Sequence, residues 1–291
     1  MTVLVDLIVM LGMLVVVPMG LRLLDGPEIA APRALWFPYA AAGAVSLWLP
    51  RGALAAGLAA CYALVTLLLA LAAPRRLART RSLAPAEVAA LTALVSPAIA
   101  ATALVAERWG HELFGFDLEI LDLTVPHFHF AGFAAALVAG LVRGAAPDRP
   151  ASAFAGLSVP LGTLLVLLGY FVDDWAELAG AVVLTAGMWA VALVTWQDVR
   201  ARDVGDRVGR ALLGISATVL VATMLLALSW ALGEATGLPH PNLAWMAATH
   251  GLANALGFAL CSLLAWRRLR TEDLRPHRTE PPHPTQQEIP A

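Results

Sequence analysis

The sequence predicts an all-α integral membrane protein, a polytopic helix bundle with about nine transmembrane helices. Of its 291 residues, 59% are hydrophobic and only 14% are charged. A soluble domain carries about 25% charged residues, so this chain would lack the polar surface that a water-soluble globule needs. The second observation is a series of apolar runs of about 20 residues, the length that a helix needs to cross the hydrocarbon core of a bilayer.

Nine apolar runs fit this description. In chain order they cover residues 3–24, 34–50, 52–73, 86–106, 124–142, 154–172, 176–196, 210–232 and 243–266. The second run is the shortest, and its ends are the least sharply defined. The first run lacks a basic start and a small-residue cleavage signal, so it is predicted to be a retained span and not a signal peptide.

The loops between the runs alternate in charge. All 19 basic residues are arginines, and most of them lie in the third, fifth and seventh loops and after the last run: Arg75, Arg76, Arg79, Arg81, Arg143, Arg149, Arg200, Arg202, Arg207, Arg210, Arg267, Arg268 and Arg270. The intervening loops, at 107–122, 172–177 and 233–242, carry carboxylates instead. Because cytoplasmic loops carry the excess of Arg and Lys, we expect the N-terminus outside and the C-terminus inside, and nine spans give the odd number that this requires.

The chain is predicted to form one transmembrane helical domain, residues 1–270, followed by a cytoplasmic tail, residues 271–291. The tail is rich in Pro, Glu, Gln and Thr, and it has too little apolar surface to fold, so we expect disorder there and solvated side chains for His277 and His283. The aspartates of the seventh loop, Asp198, Asp203 and Asp206, alternate with arginines and are interpreted as ion-paired surface.

Composition also limits the location and the partners. The expected location is the plasma (inner) membrane, with the lipid bilayer as the main partner. A net charge of −2 gives no reason to expect a nucleic-acid partner. Cys61 and Cys261 lie in apolar runs without metal-ligand spacing, so both are interpreted as small buried hydrophobic residues.

The fifth run contains two histidines at membrane depth, where ionisable groups are costly and therefore mark candidate functional sites. With Thr124 or Asp122 as the helix cap and Pro126 in the first turn, His127 and His129 are predicted in the first two turns, near the outer surface. Two residues apart on an α-helix means about 200° apart around its axis. We therefore expect one histidine to face a cavity and the other to be an orienting or interfacial residue; the alternative is two hydrogen-bonded packing residues.

The ninth run contains a third histidine, His250. If this helix begins near Asn242, His250 lies roughly 12 Å below its start at 1.5 Å per residue. Asn254 follows one turn later on the same face, and Met246 precedes it by one turn. Small residues around the His/Asn pair allow another helix to approach closely. The pair is either part of a reactive site or a polar clasp between helices.

Carboxylates near the outer ends of the spans complete the candidate site. Glu107 and Asp173 are the preferred members because they lie closest to the hydrophobic runs. The loop 109–116, Trp-Gly-His-Glu-Leu-Phe-Gly-Phe, mixes aromatic and acidic residues. It is interpreted either as an interfacial anchor or as a lid over an outer cavity.

Two motifs resemble the YndJ-like family of bacterial multi-span membrane proteins. One is His127-Phe-His-Phe-Ala-Gly-Phe133, preceded by Glu112-Leu-Phe-Gly-Phe116 and Leu123-Thr124, and the other is Thr249-His-Gly-Leu-Ala-Asn-Ala-Leu-Gly-Phe258. The resemblance implies a multi-span fold and marks His127, His129, His250 and Asn254 as signature positions. The family is sometimes labelled transporter-like.

The residues favour an intramembrane acid–base enzyme that acts on a lipophilic substrate, of the isomerase, cyclase or hydratase type. The predicted catalytic residues are His127, His129, His250, Asn254, Glu107 and Asp173, because histidine titrates near neutral pH. No nucleotide or flavin motif is present, and no cofactor is expected. One alternative is a transporter or permease with a proton relay. Another is a metal- or haem-binding protein, since three histidines and a carboxylate could hold a metal ion.

Overall fold

The computed structural model describes residues 2–201 and 207–273, and helices dominate these two ranges. We number nine helices in chain order: α1 (Val3–Leu21), α2 (Ala30–Ser46), α3 (Ala53–Thr80), α4 (Pro85–Trp109), α5 (Leu118–Ala145), α6 (Pro150–Gly169), α7 (Asp174–Val199), α8 (Arg207–Thr236) and α9 (Leu243–Arg270).

Eight of these helices are long and apolar enough to cross a membrane, by length and composition. The exception is α2, which has 17 residues and two internal or near-terminal prolines, Pro32 and Pro38. The predicted fold class, an all-helical membrane bundle, is confirmed. The number of spans and the orientation stay predictions.

Side-chain caps determine the first residues of α5, α7 and α9. Asp117 caps α5, Asp173 caps α7 and Asn242 caps α9, each through a side-chain oxygen that accepts from a backbone N–H in the first turn. The predicted start of α9 is confirmed. The predicted start of α5 near Thr124 is wrong, because the Asp117 cap begins the helix at Leu118 and Pro126 lies inside it.

This correction moves both histidines of α5 deeper into the bundle. His127 and His129 lie 9 and 11 residues after Leu118, or about 14 and 17 Å along the axis at 1.5 Å per residue. Proline removes one backbone donor from the helix. The backbone directly after it, Phe128–Ala134, is wound as a π-helix.

Within residues 2–201 and 207–273, four further π-helical segments interrupt the long helices. They are Gly12–Val16, Thr195–Val199, Ala247–Gly251 and Asn254–Leu260. Those of α1, α5 and the second one of α9 pack against one another in the middle of the bundle. π-helical turns are rare and occur frequently at functional sites.

Helix α5 is the central helix, with contacts to α1, α4, α6, α7 and α9. Helix α3 packs between α2 and α4 on one side, while α6, α7, α8 and α9 follow one another on the other side. Cys61 and Cys261 are free and partly buried in this arrangement, so the prediction that they are buried holds only in part.

Ion pairs connect the basic loops to acidic partners in two groups. Arg76 and Arg79 pair with Glu28, Arg270 pairs with Asp25, and Arg149 pairs with Asp198. These contacts place the ends of α1, α3 and α9 together, as the alternating charge pattern requires. The predictions for Arg202, Asp203, Asp206, His277, His283 and most of the tail concern residues outside the described ranges.

Candidate functional site

A cavity of about 500 Å³ lies between α1 and α4–α9, in the half of the bundle next to the loops at 110–117 and 170–173. Its walls are mainly aliphatic and aromatic. The few polar side chains among the lining residues are Thr102, Thr124, His127, Tyr170, Glu177, Trp230, His250 and Asn254. An apolar cavity with a small number of polar groups is typical of a small-molecule site.

His250 lies between Thr223 of α8 and Asn254 of its own helix. Its Nδ1 lies 2.8 Å from the carbonyl oxygen of Thr223 on α8, and because a carbonyl only accepts, Nδ1 carries the proton. The Nδ2 atom of Asn254 lies 3.1 Å from Nε2 and 3.5 Å from Nδ1 of His250, so the amide packs against the face of the imidazole ring. The hydroxyl of Thr223 donates to Oδ1 of Asn254 over 2.8 Å. The Thr223 carbonyl thus fixes the tautomer of the imidazole, and the Asn254 amide, which the Thr223 hydroxyl holds, covers one face of the ring.

The predicted i,i+4 relation of His250 and Asn254 is therefore realised as a side-chain contact within α9. The helix that approaches them closely is α8: a Cβ atom added at Gly257 would lie 2.8 Å from the side chain of Val219. Met246, one turn before His250, also lines the cavity.

His127 approaches the same cavity from α5. Its Nε2 atom is buried and has no hydrogen-bond partner among the described residues. A buried polar nitrogen without a partner costs free energy, so such a group calls for an explanation. His127 and His250 come from helices far apart in the sequence, and the fold brings them to one chamber.

His129 lies in a different environment, on the side of α5 that faces α1 and α3. It is fully buried, and its Nε2 lies 2.7 Å from the hydroxyl of Tyr62. Gly12 of α1 packs so closely that an added Cβ atom would lie 2.9 Å from the His129 ring. The expectation that only one of the two histidines faces a cavity matches this placement, and the one on the cavity is His127.

The two preferred carboxylates lie outside the cavity. Glu107 is 1% exposed and is paired with Arg51, at 2.8 Å, and with Arg108. Arg108 also donates to the carbonyl of Leu47. Asp173 is exposed and caps α7, accepting from the N–H of Ala176. Both residues were predicted because they lie close to hydrophobic runs. That closeness does not determine the direction in which their side chains point.

The carboxylate on the cavity is Glu177, one turn after the Asp173 cap. It is 9% exposed. In the sequence it is one of the carboxylates of the loop at 172–177 and has no feature that sets it apart from Asp173. Its position four residues after a capping aspartate is the signal that places it in the first buried turn of α7.

Aromatic residues of two loops form the wall at this end. Leu113, Phe114 and Phe116 line the cavity, and Phe116 packs edge-on against Phe171 with 5.1 Å between ring centroids. Phe114 and Gly115 have positive φ angles of 57° and 87°, which make the tight turn between Leu113 and Phe116. The loop that was interpreted as an anchor or a lid thus contributes directly to the cavity wall.

Tyr170 lies between α6 and α7 and also lines the cavity. Burial raises the pKa of its phenol above the ordinary value of 10.0. At neutral pH the group is therefore protonated and acts as a neutral hydrogen-bonding group. Nothing in the local sequence distinguishes Tyr170 from an interfacial tyrosine, so its place on the cavity could not be predicted.

Within the described ranges, no three residues among His, Cys, Asp and Glu form a group that could hold a metal ion. This part of the chain therefore offers no three-ligand set for the metal-binding alternative.

The fold and the cavity define a class: a polytopic helical membrane protein with an internal, largely apolar chamber that contains two histidines. The chain belongs to the YndJ-like protein family, whose model matches residues 7–258. This range includes both motifs on which the resemblance rested. Neither a search of curated proteins nor a search of solved structures gives a match.

Proposed function

We propose that this YndJ-like protein binds a lipophilic small molecule in the cavity and catalyses a proton-transfer reaction on it, an isomerisation, cyclisation or hydration. The observation that carries the proposal is the convergence of His127 and His250, from α5 and α9, on one mainly apolar chamber of about 500 Å³. Cavities of this size and composition bury most of the surface of a small ligand and orient it through a few polar contacts.

The two imidazoles supply the proton-transfer groups. In an isomerisation, one histidine removes a proton from a carbon atom and the other returns a proton at a different position, so that atoms and charge balance. Nε2 of His250 is the unprotonated nitrogen of that ring, because Nδ1 donates to the Thr223 carbonyl, and Nε2 is the atom that would accept the substrate's proton. His127 is the second group, because its Nε2 makes no contact that would have to be broken among the described residues.

The remaining polar groups have supporting roles. Glu177 lies on the cavity in the first turn of α7 and replaces Glu107 and Asp173 as the group that exchanges protons with the loop side. The neutral phenol of Tyr170 offers a hydrogen bond to a polar group of the substrate. Aromatic side chains of the 113–116 turn separate the chamber from the loop side.

The test uses purified protein in detergent, incubated with a total bacterial lipid extract and analysed by mass spectrometry. We expect one apolar species to be consumed and replaced by a product of equal mass, or of one water more, and we expect His127→Ala to abolish this. His111→Ala, in an exposed loop position, is the matched control. If no species changes while proteoliposomes accumulate a labelled solute, the transporter alternative replaces the enzyme.

A further inference from the structure

Among the described residues that line the cavity, Glu177 is the one carboxylate. We propose that the ligand of the cavity is a lipophilic cation, an amine or a quaternary ammonium ion with an apolar body, and that its positive group pairs with Glu177 among aromatic rings at the loop-side end. The proposal rests on the proposed function only in that the cavity is taken as the ligand site. It adds the chemical class of the ligand.

The side chain of Glu177 has no partner within residues 2–201 and 207–273. The residue is only 9% exposed, and its carboxylate forms neither a hydrogen bond nor an ion pair with these residues. An ionised carboxylate that is buried without a partner is costly, and a protonated carboxyl group here would lack an acceptor for its O–H. A positive group on a ligand satisfies the carboxylate, because a buried charge is stable when it is paired.

The surroundings of Glu177 are electronegative. The carboxylates of Asp174 and Glu234 lie close enough to act electrostatically on Glu177. No arginine is present among the described residues that line the cavity, and the chain contains no lysine. His240 pairs with Glu234 but does not line the cavity. A cleft with one sign of charge and walls of low dielectric constant concentrates ions of the opposite sign, so this end of the cavity favours cations.

Aromatic side chains line the same end of the cavity. Gly169 packs so closely on α7 that an added Cβ atom would lie 2.5 Å from Cα of Glu177, and the neighbouring Tyr170 is close enough for the carboxylate to act on its phenol. The ring centroids of Tyr170 and Phe116 are 6.1 Å apart, and Phe116 packs against Phe171. The faces of aromatic rings attract cations within about 6 Å, and several rings together recognise ammonium groups.

The two histidines of the cavity lie deeper than the carboxylate. Glu177 is three residues into α7, His250 seven into α9 and His127 nine into α5, which is about 5, 11 and 14 Å along the three axes at 1.5 Å per residue. A ligand whose positive group binds at Glu177 therefore places its apolar body, roughly 6 to 9 Å further in, between the imidazoles. The bound cation keeps Glu177 ionised, so this residue exchanges protons with the loop side only when no ligand is bound.

Equilibrium binding to the full chain in lipid nanodiscs tests the proposal. The probe is tritium-labelled para-hexylphenyltrimethylammonium, and the competitor is para-hexyl-tert-butylbenzene, a neutral isostere with carbon in place of the charged nitrogen. Nanodiscs of zwitterionic phosphatidylcholine, with and without the protein, separate binding from partition into lipid. We expect saturable binding of the cation, and we expect the neutral isostere to compete at least about tenfold less well than the unlabelled cation, because it forms no cation–π contact and no ion pair.

Three variants assign the binding to this end of the cavity. Glu177→Gln keeps the size of the side chain and removes its charge, so it should weaken binding of the cation at least about tenfold and leave the isostere unaffected. Phe116→Leu removes one ring and should weaken binding of the cation about two- to thirtyfold. Asp174→Asn is the matched control, because this carboxylate is exposed and does not line the cavity. Its Kd should stay within about threefold of the wild-type value, since solvent and salt screen an exposed charge.

Three results would overturn the proposal: no saturable binding of the cation, a neutral isostere that competes as well as the cation, or a Glu177→Gln protein that binds the cation as tightly as the wild type. If Glu177→Gln does not fold, the wild-type comparison of cation and isostere decides the question by itself. Binding of the cation by a protein that converts no lipid would support the ligand class and remove the enzyme. Conversion of a neutral lipid without binding of the cation would do the opposite.

Discussion

His127 and His129 show how closely spaced residues of one type acquire different roles. They are two positions apart on α5, yet His127 lines the cavity, while His129 is fully buried and contacts the hydroxyl of Tyr62. Rotation around the helix axis separates them. The chemistry of each is decided by the helix that it faces, α9 for the first and α3 for the second.

Replacing His127 by alanine is predicted to remove the reaction while the fold remains. General acid–base groups contribute about 100- to 10,000-fold to rates, so we expect a loss of at least about 100-fold in turnover. Thermal unfolding in detergent checks that the variant is folded. Turnover that stays within a factor of a few of the wild type would show that His127 exchanges no proton with the substrate.

Replacing Tyr62 by phenylalanine tests the separate role of His129. The variant removes the 2.7 Å hydrogen bond and leaves a buried imidazole nitrogen unpaired, which costs about 1–3 kcal/mol of unfolding free energy. Tyr39→Phe is the control, because the hydroxyl of that partly buried residue makes no hydrogen bond within the described ranges. Equal stability of the two variants would contradict a structural role for the Tyr62–His129 pair.

At the scale of elements, small residues let α6 and α7 approach closely enough to form one wall of the cavity. A Cβ atom at Gly162 would lie 2.4 Å from the backbone nitrogen of Leu184, and one at Gly180 would lie 2.5 Å from that of Val166. Backbone atoms cannot move aside as a flexible side chain can. Both Val166 and Leu184 line the cavity, so the spacing of these helices sets its width.

Gly162→Ala is therefore predicted to destabilise the protein by about 1–3 kcal/mol through overpacking, and to change ligand binding as well. Gly57→Ala is the matched control, because no heavy atom lies within 4 Å of the added Cβ. Its helix propensity should make it neutral or stabilising by up to about 1 kcal/mol. Differential scanning fluorimetry of both variants measures the contrast, and a stable Gly162→Ala protein would mean that the two helices have room to separate.

The π-helical segments matter at the same scale. The three that pack against one another lie in α1, α5 and α9, close to Gly12, His129 and Asn254. Each such turn changes the angular position of all residues that follow it. A helical wheel drawn for a regular α-helix therefore predicts the side-chain directions of residues before the π-helical turn. It predicts those of residues after the turn less well.

At the scale of the whole molecule, ion pairs close the basic end of the bundle. Glu28 lies between α1 and α2. Its side chain is only 4% exposed and forms ion pairs with Arg76 and Arg79. The hydrogen bond from Arg79 is the main reason why the pKa of Glu28 lies below its ordinary value of 4.5. This carboxylate links the start of α2 to the end of α3.

The stability that Glu28 contributes should depend on pH. Because its folded-state pKa is lowered, the contribution is fully present above the ordinary value of 4.5 and is lost as the pH falls through the lower, folded-state value. The difference in melting temperature between the wild type and Glu28→Gln should be largest near neutral pH and shrink in acid. Glu112→Gln, at an exposed loop position, is the control; a difference that grows in acid would contradict the assignment.

The sequence by itself determined the class of protein and much of its organisation. Apolar runs of span length predicted the helices, and Asn242 predicted the start of α9. The arginine pattern predicted basic loops, several of which form ion pairs in the structure. These features depend on residues close together in the chain. The start of α5 was the exception, because Asp117 and Thr124 are both acceptable caps and only packing of the 118–126 segment favours the first.

Only the tertiary structure decided which groups form the site. Glu107 and Asp173 carry the same local signals as Glu177, but ion pairing and capping direct the first two away from the cavity. The partner of His250 is the Thr223 carbonyl of another helix, and that of His129 is Tyr62, 67 residues away. The direction of a side chain inside a membrane bundle is set by its neighbours across helix interfaces, and the linear sequence does not contain that geometry.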